Sequence, residues 1–179
     1  MVPATAPERF VLCGYSMGGR IALHIAAAAP ERISRLVLVS ATAGIADPAE
    51  RLAADEKLAG ELDDTEAFIA RWRDTPLFAS DPDWVKEAAA EDTRRLRPQE
   101  IATMLREYGA GRLPSLWDRL ATLAVPTVAL AGERDARYCE IAARLAAAMP
   151  NARCEIVAGA GHRVAIEAPK AVADAITAA

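Results

Sequence analysis

Cysteine, histidine and aromatic side chains are all scarce in this chain. The three cysteines, Cys13, Cys139 and Cys154, lie far apart and form no CxxC pair. That spacing argues against a zinc-binding or dithiol framework and for reduced, partly buried thiols. Neither a metal nor a cofactor is therefore expected. Positive charge is not in excess, since 21 Lys and Arg face 25 Asp and Glu for a net charge of -4. Overall charge thus gives no support to a nucleic-acid partner. No apolar run reaches the roughly 20 residues needed to cross a bilayer, and "MVPATAPERF" lacks the apolar segment of a signal peptide. A cytoplasmic location is expected, and the oligomeric state is left open. There is no internal repeat, and no compositional bias beyond abundant alanine.

What is present is ordinary globular composition, 179 residues of which 53% are hydrophobic, enough for a sizeable core. Four short apolar runs read as strands: Phe10 to Cys13, Leu36 to Ser40, Thr127 to Ala131 and Cys154 to Ala158. The first three are continuous rather than alternating, as in parallel strands covered on both faces. The fourth is interrupted by Glu155. Helical patterns follow at Met17 to Ala29, Ala136 to Met149 and Ala168 to Ala178. Strands alternating with helices predict an α/β fold with a parallel sheet.

The middle of the chain differs. It is polar, it carries most of the aromatic residues, and no strand is evident in it. Short helices are expected over Pro48 to Leu58, Thr65 to Arg73, Asp83 to Glu91 and Pro98 to Tyr108. The expected organisation is a core part at 1–43, a helical cap at 44–120 and a second core part at 121–179. Insertions at strand ends commonly carry specificity.

The segment "GYSMGG", Gly14 to Gly19, joins the first apolar run to the first helix. A strand, G-x-S-x-G and a helix form a tight turn that lifts the serine to the carboxyl edge of the sheet. Side chains at Gly14 or Gly18 are expected to collide with the neighbouring strand or helix. Ser16 is then a candidate nucleophile or base, and the Met17 N–H a candidate donor to developing negative charge. A serine hydroxyl is weak unaided and needs a histidine, itself oriented by an acid. His24 lies inside a helical pattern and reads as structural. His162, in "AGAGHRV", follows the last strand and is the candidate base. Asp135, in "GERDARY", is the preferred acid and Glu133 the competing one. The chain order Ser16, Asp135, His162, each after a strand, is the order of α/β-hydrolases.

The segments "VLCGYSMGGRIALHIA", "PERISRLVLVSATAGI", "GERD" and "GAGH" resemble the α/β-hydrolase superfamily over nearly the whole chain. Arg20 after the double glycine, "SATAGI", and "FIARWRDTPLFAS" in the cap more narrowly resemble the 2-succinyl-6-hydroxy-2,4-cyclohexadiene-1-carboxylate synthases of menaquinone biosynthesis. That resemblance implies a fold of parallel sheet, flanking helices and helical cap, and the elimination of pyruvate from a cyclohexene carboxylate. The serine would remove a proton rather than be acylated. It also implies a small anionic carboxylate substrate met by Arg20, Tyr15 and Trp72, with Arg51 nearest to a second expected arginine. Arg73 stands where the family often has a tyrosine. Relative to that family the N-terminal strands are expected to be missing, and with them a His-Gly turn that supplies a second oxyanion donor, worth about 3 kcal/mol. A truncated chain or misplaced start is the corresponding expectation. Two further readings compete: an esterase or carbon–carbon bond hydrolase with an acyl-serine, and a non-catalytic fragment.

Overall fold

The computed structural model describes residues 5–62 and 64–178. In chain order the elements are β1 (Phe10–Tyr15), α1 (Met17–Ala28), β2 (Ile33–Val39), α2 (Pro48–Gly60), α3 (Thr65–Arg73), α4 (Asp83–Arg94) and α5 (Pro98–Tyr108). They continue with β3 (Thr127–Gly132), α6 (Ala136–Ala148), β4 (Ala152–Val157), α7 (Val164–Glu167) and α8 (Pro169–Thr177). Two units emerge, one formed by residues up to Gly44 and from Ser115 onward, the other by Ile45–Pro114.

The first unit is built on a four-stranded sheet in the order β1-β2-β3-β4. All of its pairings are parallel. Alternation along β2 decides what covers each face. Leu36 and Leu38 join a cluster with Ala22, Leu23 and Ala26 of α1 and Ala142 and Leu145 of α6. Val37 and Val39 join Val128, Leu130, Val164 of α7 and Ala175 of α8 on the opposite side. Each fully buried leucine or valine here contributes about 1.5–3 kcal/mol. This two-sided cover explains why β2 and β3 are continuous apolar runs.

Strand β1 departs from that expectation. It lies at the edge of the sheet, and Val11, Cys13 and Tyr15 are exposed while Phe10 and Leu12 pack inward. Its register pairs Cys13 with Val37 and Tyr15 with Val39. Strand β4 forms the other edge, with Arg153 and Ile156 exposed and Glu155 half-buried, its carboxylate paired with Arg153.

The second unit is helical, with no strand among the described residues. Asp47 and Asp64 cap α2 and α3 by accepting the N–H groups of Glu50 and Glu66, and prolines open α2 and α5. Its apolar centre is Ala59, Phe68, Ile101, Ala102 and Leu105, with Leu58, Leu62 and Trp72 packed on it. Arg94 bridges Glu66 and Glu87, and Arg106 reaches Glu56. Exposed pairs of this kind contribute about 0–1 kcal/mol each.

Candidate active site

The site begins at the end of β1. The Ser16 N–H donates to Val39 O at 2.8 Å, so sheet pairing extends one residue past the strand. At that residue the backbone turns to φ 49°, ψ -115° and α1 starts. A non-glycine residue held there stores about 1–3 kcal/mol of strain. The first helical hydrogen bond runs from Arg20 N–H to Ser16 O at 3.2 Å. The amides of Met17, Gly18 and Gly19 therefore precede any intrahelical acceptor, at the positive end of the helix dipole.

The glycines behave differently from expectation. A Cβ on Gly14 would stand 2.4 Å from Gly18 O, and one on Gly19 would stand 2.5 Å from the Ala41 Cβ. At Gly18 a Cβ would meet nothing within 4 Å. The close approach that demands glycine thus involves Gly14 and Gly19, and the expected collision at Gly18 is corrected. The first turn of α1 crosses the end of β1, so Gly19 rather than Gly18 faces Gly14 and Ala41.

Asp135 follows β3. Its backbone N–H donates to Gly132 O at 2.9 Å, and its Oδ1 accepts the Tyr138 N–H at 3.2 Å, capping α6. Its other oxygen, Oδ2, lies 2.6 Å from His162 Nδ1. An ionised carboxylate only accepts, so Nδ1 carries the hydrogen and Nε2 is left as an acceptor. Nε2 lies 3.1 Å from Ser16 Oγ. The serine side chain makes no helix-cap bond, so its hydroxyl is oriented toward the ring instead of α1.

The loops bearing Asp135 and His162 are stitched together. Glu133 N–H donates to Val157 O at 3.0 Å and Arg134 N–H to Ala160 O at 2.9 Å. A Cβ on Gly132 would stand 2.1 Å from Gly161 O, so only glycine allows this approach. Glu133, the competing acid, accepts the Gly159 N–H at 2.8 Å and holds the turn rather than the ring. Glu167 accepts the Gly161 N–H at 2.8 Å and pairs with Arg134. His162 is 1% exposed, with the Tyr138 ring edge-on at 4.6 Å and the Tyr15 ring at 5.5 Å.

Tyr138 and Glu167 escaped sequence reasoning. Tyr138 was within reach of it, since an aspartate cap places the residue three positions on beside its own carboxylate. Glu167 had no signal, because a glutamate in a short helix looks like any surface residue. Cys139 donates its thiol to Gly132 O at 3.2 Å. Burial pushes this thiol up and the nearby Asp135 carboxylate adds to the effect, so it stays protonated beside the site.

The remaining candidates divide between the units. Arg20 is buried, at 2% exposure, in the first turns of α1. Tyr15 is exposed at the end of β1. Arg51 lies on α2, its Nε donating to Asp55 Oδ1 at 2.7 Å. Trp72 lies on α3, stacked on Phe68 at 5.4 Å and tilted against Phe78 at 5.8 Å. His24 is half-buried within α1. Among the described residues, no group of three or more His, Cys, Asp or Glu is placed to hold a metal ion, and no helix is long and apolar enough to cross a membrane.

Residues 2–175 match the model of the alpha/beta hydrolase family. A Bacillus subtilis protein provisionally named 2-succinyl-6-hydroxy-2,4-cyclohexadiene-1-carboxylate synthase is 41% identical over 172 residues, which are 89% of this chain and 61% of that protein. The solved structure of MenH from S. aureus superposes with a TM-score of 0.84 at 35% identity, over 92% of this chain and 65% of that one. A thermophilic esterase from Thermogutta terrifontis superposes with a TM-score of 0.77 at 25% identity, over 94% and 63%. The chain thus spans a little under two thirds of these proteins. Sheet order, the strained serine turn and the family match agree, and the chain belongs to the alpha/beta hydrolase family.

Proposed function

We propose that this chain carries the reacting groups of a pyruvate-eliminating enzyme of menaquinone biosynthesis, acting on a small anionic cyclohexene carboxylate. The observation that carries the reading is the hydrogen-bonded series Ser16 Oγ, His162 Nε2, His162 Nδ1 and Asp135 Oδ2, at 3.1 and 2.6 Å. The 41% identity to the Bacillus protein supports the choice of reaction.

In this reading His162 takes the Ser16 proton and Asp135 stabilises the imidazolium. The serine oxygen removes a proton from a ring carbon. The electron pair left behind moves into the ring and breaks the carbon–oxygen bond, so that the pyruvate unit leaves as its enolate; the proton held by His162 passes to the enolate, which gives pyruvate, and Ser16 keeps the ring proton as its hydroxyl hydrogen. The Met17 N–H, at the helix start, faces the negative charge that develops. Arg20 meets a substrate carboxylate, and Tyr15 packs on its carbon skeleton.

A second reading has support from the likeness to the Thermogutta esterase. There Ser16 attacks a carbonyl and is acylated, and water then releases the acid. The two separate in one experiment on this chain. Pyruvate release from the cyclohexene carboxylate intermediate, lost in Ser16→Ala, supports elimination. Rapid ester turnover with an acylated Ser16 in the mass spectrum, and no pyruvate, overturns it. Neither activity, together with no effect of Ser16→Ala, leaves a non-catalytic module.

A further inference from the structure

The two hydrogen bonds of the His162 ring leave one of its motions unopposed. Nδ1 meets Asp135 Oδ2 and Nε2 meets Ser16 Oγ. The N–H and the lone pair of a neutral imidazole both lie in the ring plane. These bonds therefore fix the ring within its plane and leave its tilt soft. The torsion about the histidine Cβ–Cγ bond is broad rather than sharply staggered, so rotamer preference adds little. Packing has to hold the tilt.

Two aromatic rings supply that packing. Tyr15 lies 5.5 Å away at 55°, and Tyr138 is closer, at 4.6 Å and 67°. Tyr15 is exposed at the end of an edge strand. Tyr138 is the better supported of the two. It is half-buried on the first turn of α6, packed on the core cluster that holds Ala142 and Leu145 of the same helix. Its main chain is tied as well, since its N–H donates to Asp135 Oδ1 at 3.2 Å. That bond leaves Oδ2 to meet Nδ1. One residue thus restrains the acid through its backbone and the base through its side chain. Any residue but proline would supply the N–H. The aromatic ring needs a separate reason, and the imidazole it touches provides one.

We propose that Tyr138 is a positioning residue for the reaction, its ring holding the His162 imidazole in line between Asp135 and Ser16. The assignment rests on the reading of His162 as the base. It is the same whether Ser16 removes a proton or attacks a carbonyl. A ring held in this way keeps Nε2 aimed at Oγ once substrate is bound, so the loss on removing it falls in kcat rather than in KM.

The test compares Tyr138→Phe, which keeps the ring, with Tyr138→Leu and Tyr138→Met, which keep apolar bulk without it, all in the full chain. The first measurement is the proton and ring-nitrogen spectrum of histidine-labelled protein. His162→Gln assigns the His162 signals, and those of His24 in α1 report on the fold. The second is kcat and KM for pyruvate release or ester turnover, whichever the parent performs. The parent and Tyr138→Phe should show one tautomer, its Nδ1 hydrogen a sharp far-downfield resonance protected from water. Tyr138→Leu and Tyr138→Met should broaden or lose that resonance with His24 unmoved. Their kcat should fall about threefold to tenfold, the range an aromatic pair supports, with KM within about twofold. An Nδ1 resonance unaltered in both ringless variants, whatever their rates, would overturn the assignment. So would Tyr138→Phe as impaired as Tyr138→Leu. The spectrum needs no turnover: a parent that releases neither pyruvate nor acid, yet whose Nδ1 resonance depends on the Tyr138 ring, would defeat the reaction reading and keep this one.

Discussion

Replacing Asp135 with asparagine removes one charge while keeping the shape of the side chain. The amide oxygen of the Asp135→Asn variant can still accept the Tyr138 N–H, so the helix cap, whose loss costs about 1 kcal/mol, survives. The atom facing His162 Nδ1 becomes an amide nitrogen, which donates. Turning the amide over is no escape, because two donors would then meet at the Tyr138 N–H. Nδ1 must accept, so the ring hydrogen moves to Nε2 and points at Ser16 Oγ. A ring in that tautomer cannot take the serine proton. The expected loss in kcat/KM is about a thousandfold to ten-thousandfold, or roughly 4–5.5 kcal/mol at 1.36 kcal/mol per decade. The stability cost is much smaller. A charge-assisted hydrogen bond between groups that are 0% and 9% exposed becomes a neutral one, a loss of about 1 kcal/mol. The assay compares pyruvate release and ester turnover for Asp135→Asn, Glu133→Gln and Ser16→Ala, with a thermal melt for each. Glu133→Gln keeps an acceptor for the Gly159 N–H and should retain most of the rate. The reasoning fails if Asp135→Asn stays within about threefold of the parent while Ser16→Ala is inactive.

Two further predictions concern stability. Gly18→Ala should be neutral or stabilise by up to about 1 kcal/mol, since its methyl meets open space and alanine favours a helix. Gly14→Ala and Gly19→Ala should each cost about 1–3 kcal/mol or more from backbone and Ala41 contacts, read by denaturant midpoints; the opposite ranking would contradict the turn geometry. In the helical unit, the hydrogen bond from Arg94 holds the Glu66 carboxyl below its ordinary range, and Arg97 does the same for Glu100. Such depressed values contribute stability above the unfolded glutamate value, lost as pH falls through the folded one. Melting temperature in acid should therefore fall less for Glu66→Gln than for the parent. That difference should vanish near 1 M salt, where the screening length is about 3 Å.

Much of this architecture was legible from residue order. β2 and β3 announced themselves as unbroken apolar runs, and the bounds of α3 and α5 followed from proline, aspartate and helix-forming residues. Glycines around Ser16 and a lone histidine in a glycine-rich loop marked the candidate groups, because a serine that reacts needs a tight turn and a base. Local rules could not say which glycine of the turn is crowded, since that depends on Ala41, which arrives from β2.

By itself the sequence determined the chemical inventory: one serine at a strained turn, one loop histidine, two acids beside it, and strands spaced for a parallel sheet. Tertiary structure shows which acid meets the ring, Asp135, preferred from the sequence, or Glu133, its competitor. Both follow β3, and the stitching of its loop to the histidine loop turned one toward Nδ1 and the other toward the Gly159 N–H. Hydrogen-bond geometry acts over tenths of an ångström between segments distant in the chain, and residue order carries no such information.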